Sequence, residues 1–390
     1  GLSGKASLYF FQEGWSFSPN PLEVSGEATN LKIRRIPQNL NIVEPKIAGG
    51  LGATIMVKGD GSVWTWGHNL YGELGNGAII NSNRPGQVPD LGNAMAVAAG
   101  TYFKTVLKTD GSVWAWGSNS IYQLGNGTST NSSVPVRVGA LSNVAAVACG
   151  SSHGMALKAN GSVWSWGYDV YGQLGQGKIA HSNVPVQASG LTDVIAIAGG
   201  ANHSMALKAD GTVWTWGRNA DNQLGDGTNT DSNLPKQLDG LLNVIAISSG
   251  GYHSFALEES GSVWVWGNNT WGQLGDGTNT TSTVPKKLSG LSNVVAIAGG
   301  ERHTVVLKSD GSVWTCGFNY YGQLGNGSNA NSNVLVQVSG LSNVVAIGAG
   351  GMHSLAIKDD GSVWGWGWNS YGELGTGNNT NSNVPVEVQF

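Results

Sequence analysis

A unit of fifty residues occurs seven times in this chain, and no insertion or deletion separates one copy from the next. Each copy carries the phrase Asp/Asn/Ser-Gly-Ser/Thr-Val-Trp-x-Trp-Gly or a close variant of it. The glycines that open the phrase are Gly61, Gly111, Gly161, Gly211, Gly261, Gly311 and Gly361. A fixed period of this length is typical of one supersecondary unit that stacks on copies of itself. We therefore expect residues 41–390 to form one array rather than several unrelated domains.

The unit at residues 291–340 has the local pattern of the other copies. Four short segments, 294–298, 304–308, 312–316 and 334–338, are rich in β-forming residues and lack helical periodicity. The Asp-Gly pair between the second and third segments predicts a hairpin in which both central residues tolerate positive φ. Seven such units predict an all-β fold, a seven-bladed β-propeller with four-stranded blades, which follows an N-terminal arm.

Most of the tryptophans occupy two positions of the predicted third strand, two residues apart and so on one face of it. Small or medium residues occupy the opposite face, so we expect the bulky face of each blade to pack on the shallow face of the next. The two series are Trp64, Trp114, Trp164, Trp214, Trp264, Trp314 and Trp364, and Trp66, Trp116, Trp166, Trp216, Trp266, Cys316 and Trp366. Prolines begin the predicted fourth strand and indicate that it is outermost: Pro85, Pro135, Pro185, Pro235, Pro285 and Pro385.

Composition excludes several functional classes. Only 11% of the residues are charged and the formal net charge is −4, so the chain lacks the clustered Lys and Arg of a nucleic-acid surface. It also lacks an apolar run long enough for a membrane span. Loops rich in Gly, Asn, Ser and Thr favour an extracellular or cell-surface location. Because the chain begins with Gly1, we expect that a signal segment was removed or that the sequence was trimmed.

Residues 1–40 do not fit the repeat and form the predicted N-terminal arm. Residues 21–26 resemble residues 185–190 of a fourth strand, so we expect the arm to add a strand to its own propeller or to a neighbouring copy. The second arrangement would give a homo-oligomer or a filament. The candidate residues for this self-association are Leu8, Tyr9, Phe10, Phe11, Trp15 and Phe17.

Several residue types recur in the repeat and are interpreted as structural. One histidine recurs per unit in five of the seven units, which places the histidines around a ring too wide for them to share one metal ion. We therefore predict that they are structural turn histidines and that the protein holds no metal and no cofactor. The lysines beside the hairpin predict solvated turns. Cys149 and Cys316 lie at different repeat positions, so we expect two buried, reduced thiols. The histidines are His153, His203, His253, His303 and His353, and the lysines are Lys58, Lys108, Lys158, Lys208, Lys308 and Lys358.

The stretch that follows the third strand changes from unit to unit, and its aromatic residues concentrate in the last three units. Exposed Tyr and Trp side chains are typical anchors of protein interfaces and also stack on sugar rings. The alternative is that these rings only cover their own loops. The candidate binding surface consists of Trp271, Phe318, Tyr320, Tyr321, Trp368 and Tyr371.

Two phrases resemble the regulator of chromosome condensation repeat: Trp-Gly-x-Asn-x-Tyr-Gly-Glu-Leu-Gly-x-Gly at residues 366–377, and Ala-Gly-Gly-x-x-His-Ser-x-Ala-Leu-Lys-x-Asp-Gly at residues 198–211. The resemblance implies a seven-bladed propeller over residues 41–390. Members of this family include a nucleotide exchange factor for the GTPase Ran, an ultraviolet-B photoreceptor and an inhibitor of β-lactamases. The photoreceptor motif Gly-Trp-Arg-His-Thr is matched only in part at residues 300–304, where Glu301 replaces Trp, which argues against light sensing.

No serine-nucleophile elbow, phosphate-binding loop or metalloprotease motif is present in the sequence. We therefore expect a non-enzymatic, secreted or cell-surface propeller that serves as a structural or interaction module and binds itself or another protein. One alternative is an inhibitor or receptor-like module that grips a protein or a glycan. Another is a polysaccharide-active enzyme with a site assembled across blades. A Ran-type exchange factor is disfavoured because the arm lacks a basic tail.

Overall fold

The computed structural model describes residues 46–390, which form a ring of seven four-stranded antiparallel sheets. In each sheet the four strands follow sequence order, so each blade is built from one continuous segment of chain. The predicted all-β, seven-bladed propeller with four-stranded blades is confirmed. The candidate arm, residues 1–40 with Leu8, Tyr9, Phe10, Phe11, Trp15 and Phe17, lies outside the described residues, as do residues 41–45 at the predicted start of the propeller.

The first strands contact one another around the central channel, and the fourth strands form the outer rim. The first strands are Lys46–Gly49, Ala94–Ala99, Val144–Cys149, Val194–Gly199, Val244–Ser249, Val294–Gly299 and Val344–Ala349. The second strands are Ala53–Val57, Phe103–Lys108, His153–Lys158, His203–Lys208, His253–Glu258, His303–Lys308 and His353–Lys358. The third strands are Val63–Gly67, Val113–Gly117, Val163–Gly167, Val213–Gly217, Val263–Gly267, Val313–Gly317 and Val363–Gly367. The fourth strands are Ser82–Gln87, Ser132–Arg137, Ser182–Gln187, Ser232–Gln237, Ser282–Lys287, Ser332–Gln337 and Ser382–Glu387.

Two local expectations were wrong in detail. In the hairpin at Asp310-Gly311, only Gly311 takes a positive φ, of 76°, and its amide donates to the Lys308 carbonyl at 3.0 Å. The loop therefore has three residues and ends in a left-handed glycine, which is the second common hairpin geometry. The fourth strand begins at Ser82, three residues before Pro85, although its predicted place on the outer rim is confirmed.

The second tryptophan of each third strand is the largest side chain in the core between blades. Trp216 is fully buried, and its indole N–H donates to the Gln173 carbonyl of the preceding blade at 2.9 Å. A buried donor without a partner would be costly, so the indole must lie where its N–H reaches this carbonyl. The bond thereby aligns the tryptophan face of one blade with the backbone of the neighbouring blade. The equivalent bonds are made by Trp66, Trp116, Trp166, Trp266 and Trp366.

The sixth blade replaces this tryptophan by Cys316, whose thiol lies 3.5 Å from the Gln273 carbonyl. A second departure from the repeat accompanies it, because Leu335 stands where the other blades have proline. A Cβ added to Gly275 would lie 3.5 Å from Leu335 Cγ, whereas in the other blades the equivalent glycines face the indole ring. Leu335 therefore fills part of the volume that the missing indole leaves. Cys316 is buried as expected and Cys149 is half-buried, and both thiols are free.

The ring closes through hydrogen bonds rather than through a shared strand within residues 46–390. Around the channel, the backbone of each blade bonds the next, and Gly351 N donates to Gly50 O at 2.9 Å to join blade 7 to blade 1. At the outer rim, Gly377 N donates to Asn83 O at 2.8 Å, the bond that Gly177 and Asn233 make between blades 3 and 4. The closing interface therefore has the same bonds as the internal ones.

The repeated histidines are structural, although each begins the second strand instead of lying in a turn. His203 Nε2 lies 2.9 Å from Ser254 Oγ of the next blade, and that hydroxyl donates to the Gln223 carbonyl at 2.9 Å. The histidine must then be the donor, which leaves Nδ1 buried and without a partner. A Cβ on Gly200 would lie 2.0 Å from His203 Cε1, so only glycine fits beside the ring.

Two interfaces lack this histidine, and both carry a second change that compensates. At the interface of blades 2 and 3, Phe103 replaces His and Gly154 replaces Ser. At the interface of blades 1 and 2, Ala53 replaces His, and the fully buried Lys104 Nζ donates to the Ala53 carbonyl at 2.9 Å. Burial lowers the pKa of Lys104 to about 8. The repeat thus constrains pairs of residues across an interface rather than single positions.

The lysines beside the hairpins are half-buried instead of fully solvated. Lys58 Nζ lies 4.0 Å from the centre of the Trp64 ring, and Lys358 Nζ lies 5.7 Å from that of Trp364. These are cation–π distances, so the first tryptophan of each pair holds the lysine over its face. In the fifth blade Glu258 replaces the lysine and accepts from Trp264 Nε1 at 2.7 Å.

We expect Cys316→Trp alone to destabilise the protein, because the indole would overpack against Leu335. Adding Leu335→Pro restores the residues of the other blades and should recover at least about 1 kcal/mol beyond additivity. Thermal unfolding of the wild type, both single variants and the double variant measures this coupling. Additive effects would mean that Leu335 does not occupy the indole volume.

Stability should fall as the pH drops below the ordinary histidine value of 6.5. Burial lowers the pKa of His153 and His303 to about 4 and of His203, His253 and His353 to about 3. Between these pKa values and 6.5 the unfolded chain binds more protons than the folded one. Each histidine therefore lowers the free energy of unfolding by about 1.4 kcal/mol for every pH unit that the pH falls.

Urea unfolding from pH 7 to pH 4.5 measures this slope. The variant His253→Phe/Thr304→Gly copies the Phe103–Gly154 pair and serves as the control. Its free energy of unfolding should change less steeply with pH, by the contribution of one histidine, about 1.4 kcal/mol per pH unit. An unchanged pH dependence would contradict the assignment.

Candidate functional site

Three positions of every blade meet on one side of the ring, which we call the loop face. They are the residue before the second strand, the residue after the third strand and the residue three positions later, illustrated in blade 4 by Asn202, Arg218 and Asp221. The loops that carry them lie at the same end of the blade, because strands alternate in direction. The Arg218 amide donates to the Asn202 carbonyl at 2.8 Å, which ties the two loops together.

A buried asparagine holds the long loop between the third and fourth strands. Asn219 is fully buried, its Nδ2 donates to the Thr228 carbonyl at 2.9 Å, and its Oδ1 accepts from the Leu224 amide at 3.0 Å. The same position is Asn69, Asn119, Asp169, Asn269, Asn319 and Asn369 in the other blades. This asparagine was not among the residues assigned a role from the sequence, although its recurrence across the repeat was the available signal.

The six predicted surface aromatics lie together on the loop face and form what we call the aromatic arc. Successive ring centres are 5.0 Å apart for Trp271 and Phe318 and 6.3 Å apart for Phe318 and Tyr321. They are 6.0 Å apart for Tyr321 and Trp368 and 5.3 Å apart for Trp368 and Tyr371. The remaining member is Tyr320, 5.0 Å from Tyr321.

The arc is partly exposed. Tyr320 is 68% exposed and Tyr371 36%, whereas the other four rings are half-buried against one another. The rings therefore pack on one another and also keep part of their surface exposed to solvent. Their role as a binding surface stays a prediction.

The arc continues across the closing interface into a cluster of titratable groups. His68 lies 4.8 Å from the Tyr371 ring and 5.5 Å from the Tyr102 ring, and its Nδ1 is 2.6 Å from Glu73 Oε1. Glu73 and Glu373 are fully buried and stand where the other blades have glutamine. Glu73 is thus paired with a histidine, while Glu373 Oε1 has no hydrogen-bond partner.

Burial raises the pKa of Glu373 to about 7, and hydrogen bonds from nearby amides and the neighbouring His68 oppose the shift. Its other oxygen accepts from the Tyr371 amide at 2.9 Å, as glutamine does in the other blades. A neutral amide can do this without the cost of a buried charge. Glu373 therefore adds a protonation equilibrium near neutral pH to the interface of blades 7 and 1.

A cavity of about 450 Å³ lies at the other end of the arc, among the loop-face residues of blades 3 to 6. The Arg218 guanidinium lies 5.7 Å from both the Tyr171 and the Tyr252 ring centres, and its Nη1 is 2.6 Å from Asp221 Oδ2. Trp271 of the arc lines the same cavity. The arc and this cavity, which we call the Arg218 pocket, are thus continuous.

The variable stretch after the third strand, which the sequence singled out, supplies Arg218, Asp221 and Trp271, whereas the residue before the second strand was not among the sequence candidates. That position contributes Tyr102 to the cluster and Asn202, Tyr252 and Arg302 to the pocket. The signal was present, because this position also varies and takes six residue types in seven units: Gly52, Tyr102, Ser152, Asn202, Tyr252, Arg302 and Met352. Residues 46–390 hold no group of three or more His, Cys, Asp or Glu side chains that could hold a metal ion.

A family model described as the RCC1-like domain matches residues 129–390. The chain belongs to the RCC1-like domain family. A model of the regulator of chromosome condensation (RCC1) repeat matches residues 60–107 in addition. The predicted family resemblance is therefore confirmed. A comparison with curated protein sequences finds no significant match.

Solved structures of other propellers are similar to this RCC1-like chain. Prp20p from Saccharomyces cerevisiae has 26% identity and a TM-score of 0.76, over 88% of this chain and 86% of that one. Human WBSCR16 has 26% identity and a TM-score of 0.77, over 84% and 94%. Yeast RCC1 (Prp20) bound to Kap60 has 23% identity and a TM-score of 0.76, over 94% and 91%, and supports the fold alone. Within residues 46–390, no helix has the length and apolar character that a membrane crossing needs.

We expect Glu373→Gln to stabilise this RCC1-like propeller above neutral pH. The folded pKa is about 7 and the ordinary value is 4.5, so the folded state binds more protons between them and stability falls as the pH rises. The variant removes this loss, so its free energy of unfolding should rise by about 3 kcal/mol at pH 8, with little change at pH 4.5.

Denaturant unfolding at the two pH values checks this, with Glu73→Gln as the matched control. Glu73 bonds His68, so its replacement removes a charge-assisted bond and should not stabilise. Equal effects of the two variants, or no gain at pH 8, would contradict the expectation.

Proposed function

We propose that this chain is a protein-binding propeller and that the aromatic arc is its contact surface. The observation that carries the proposal is the unbroken series of ring contacts from Trp271 to Tyr371, all on one side of the channel and partly exposed. Rings in ring-to-ring contact lose little conformational freedom on binding, so they suit an interface anchor.

A relative supports a protein as the partner. The structure of Prp20p was described together with the binding properties of that protein to Gsp1p and histones. For this chain we propose a protein partner of complementary apolar character, since the arc carries no charged side chain and the chain has a net charge of −4.

Other parts of the proposal rest on composition. We propose that the protein is secreted or displayed at a cell surface and that it acts without enzymatic activity. Self-association through the arm is a second candidate. All seven sheets already have four strands from residues 46–390, so an added strand would pair at an outer edge such as Ser382–Glu387. A second copy of the chain is therefore one of the partners that the experiment distinguishes.

A photo-crosslinking residue placed at Tyr320 should capture the partner, whereas the same residue at Val134 on the outer rim should not. The variant Tyr320→Ala/Tyr321→Ala/Trp368→Ala, called the arc variant, should then bind the purified partner about 100-fold more weakly, a loss of about 2.7 kcal/mol. Its melting temperature should change by only about 2 °C, because the rings are partly exposed.

The matched control is Val134→Ala/Val184→Ala/Val284→Ala, which removes exposed apolar side chains from fourth strands. It should bind like the wild type. Equal capture at residues 320 and 134, or an arc variant with unchanged affinity, would refute the proposal. Capture of a second copy, lost when residues 1–40 are deleted, would favour self-association instead, and a large loss of melting temperature would assign the rings to the core.

A further inference from the structure

We propose that the Arg218 pocket binds one pyranose unit of a neutral glycan. This goes beyond the protein-binding proposal and does not rest on it. The cavity measures about 450 Å³, within the range of small-molecule sites, and it opens on the loop face beside the channel. Four successive blades, 3 to 6, contribute side chains to it, so no single unit could form the site.

The charges in the pocket are already paired. Asp221 Oδ2 accepts from Arg218 Nη1 at 2.6 Å, and Asp221 Oδ1 accepts from Asn268 Nδ2 at 2.9 Å. The other cation, Arg302, has its Nε 3.7 Å from Glu301 Oε1. A free anion would therefore have to compete with two carboxylates for these guanidinium groups. The pocket favours a ligand without net charge.

The polar groups form a network that can both donate and accept. Gln273 Nε2 donates to Asn268 Oδ1 at 2.9 Å, and Asn268 Nδ2 in turn donates to Asp221 Oδ1. Arg218 and Arg302 have further N–H groups that can donate, while Asp221 and Asn202 have oxygens with spare lone pairs. A hydroxyl is at once donor and acceptor, so adjacent hydroxyls match this mixture better than an amine or a carboxylate would.

Aromatic rings supply the apolar part of the site. Tyr171 and Tyr252 flank the Arg218 guanidinium at 5.7 Å each, which holds its planar fork in place without closing the cavity. Trp271, half-buried and supported edge-on by Phe318 at 5.0 Å, forms a wall at the arc end. A pyranose has a C–H face that packs on such a ring and a rim of hydroxyls. The geometry thus matches both parts of a sugar unit.

The test is an array of neutral oligosaccharides of glucose, mannose, galactose, xylose and N-acetylglucosamine, probed with the full chain. Inorganic phosphate and a polyglutamate peptide serve as anionic probes. The strongest neutral oligosaccharide is then titrated calorimetrically against variants. Asp221→Ala and Trp271→Ala should each weaken binding at least about tenfold. The arc variant, which leaves the pocket lining intact, should bind within about twofold of the wild type.

The proposal is overturned if no neutral oligosaccharide binds at concentrations up to about 10 mM, a limit near −3 kcal/mol. It is also overturned if an anionic probe binds and Arg302→Ala abolishes that binding, or if both pocket variants bind like the wild type. Unchanged circular dichroism keeps a folding defect from being counted as lost binding. Loss of the protein partner but not of the sugar in the arc variant keeps the two proposals distinguishable.

Discussion

One backbone carbonyl at each blade interface organises the rest of the structure. The Gln173 carbonyl accepts from the buried indole of Trp216 and from the Ser204 hydroxyl, and Ser204 in turn lies 2.9 Å from His153 Nε2. The side-chain Oε1 of Gln173 accepts from the Tyr171 amide on the loop face at 3.0 Å. The same residue therefore anchors the core of blade 4 on blade 3 and positions a loop of blade 3 on the loop face. Because each member is buried, the loss of one would leave another unsatisfied.

The exceptions to the repeat indicate how strict this constraint is. The indole can be lost at Cys316 where Leu335 takes up part of its volume, and the histidine can be lost where Lys104 reaches the carbonyl of Ala53. A Cβ at Gly154 would lie 2.3 Å from Trp166 Cε2, so its pairing with Phe103 also involves two residues. Substitutions at the interfaces come in pairs because a close-packed core penalises both holes and overlaps. The loop face is free of that rule, and it is there that side chains differ from blade to blade.

The sequence was a good guide where a residue acts through local geometry and a weaker one where it acts across blades. Two periods in the sequence predict the local features: side chains alternate every two residues along a strand, and the whole unit repeats every fifty residues. From these periods follow the strand order, the outer position of the fourth strand and the shared face of the tryptophan pair. The histidine was correctly interpreted as structural but was placed in a turn, because its partner, such as Ser254 for His203, lies fifty-one residues away. Tyr252 and Arg302 were missed for a related reason: they precede a strand in one loop and join the site only because another loop returns to the same end of the blade.

The sequence by itself determined that this chain is a propeller of seven equivalent blades, since only one kind of unit is encoded and each must bury its tryptophan face on the next. It also indicated which positions are free to vary. The tertiary structure decided what those positions form: an aromatic arc, a Glu–His cluster at the closing interface and a pocket of paired charges around Arg218. Closing the ring brings residues of different units together at distances that depend on the curvature of the whole array. No single unit specifies that curvature.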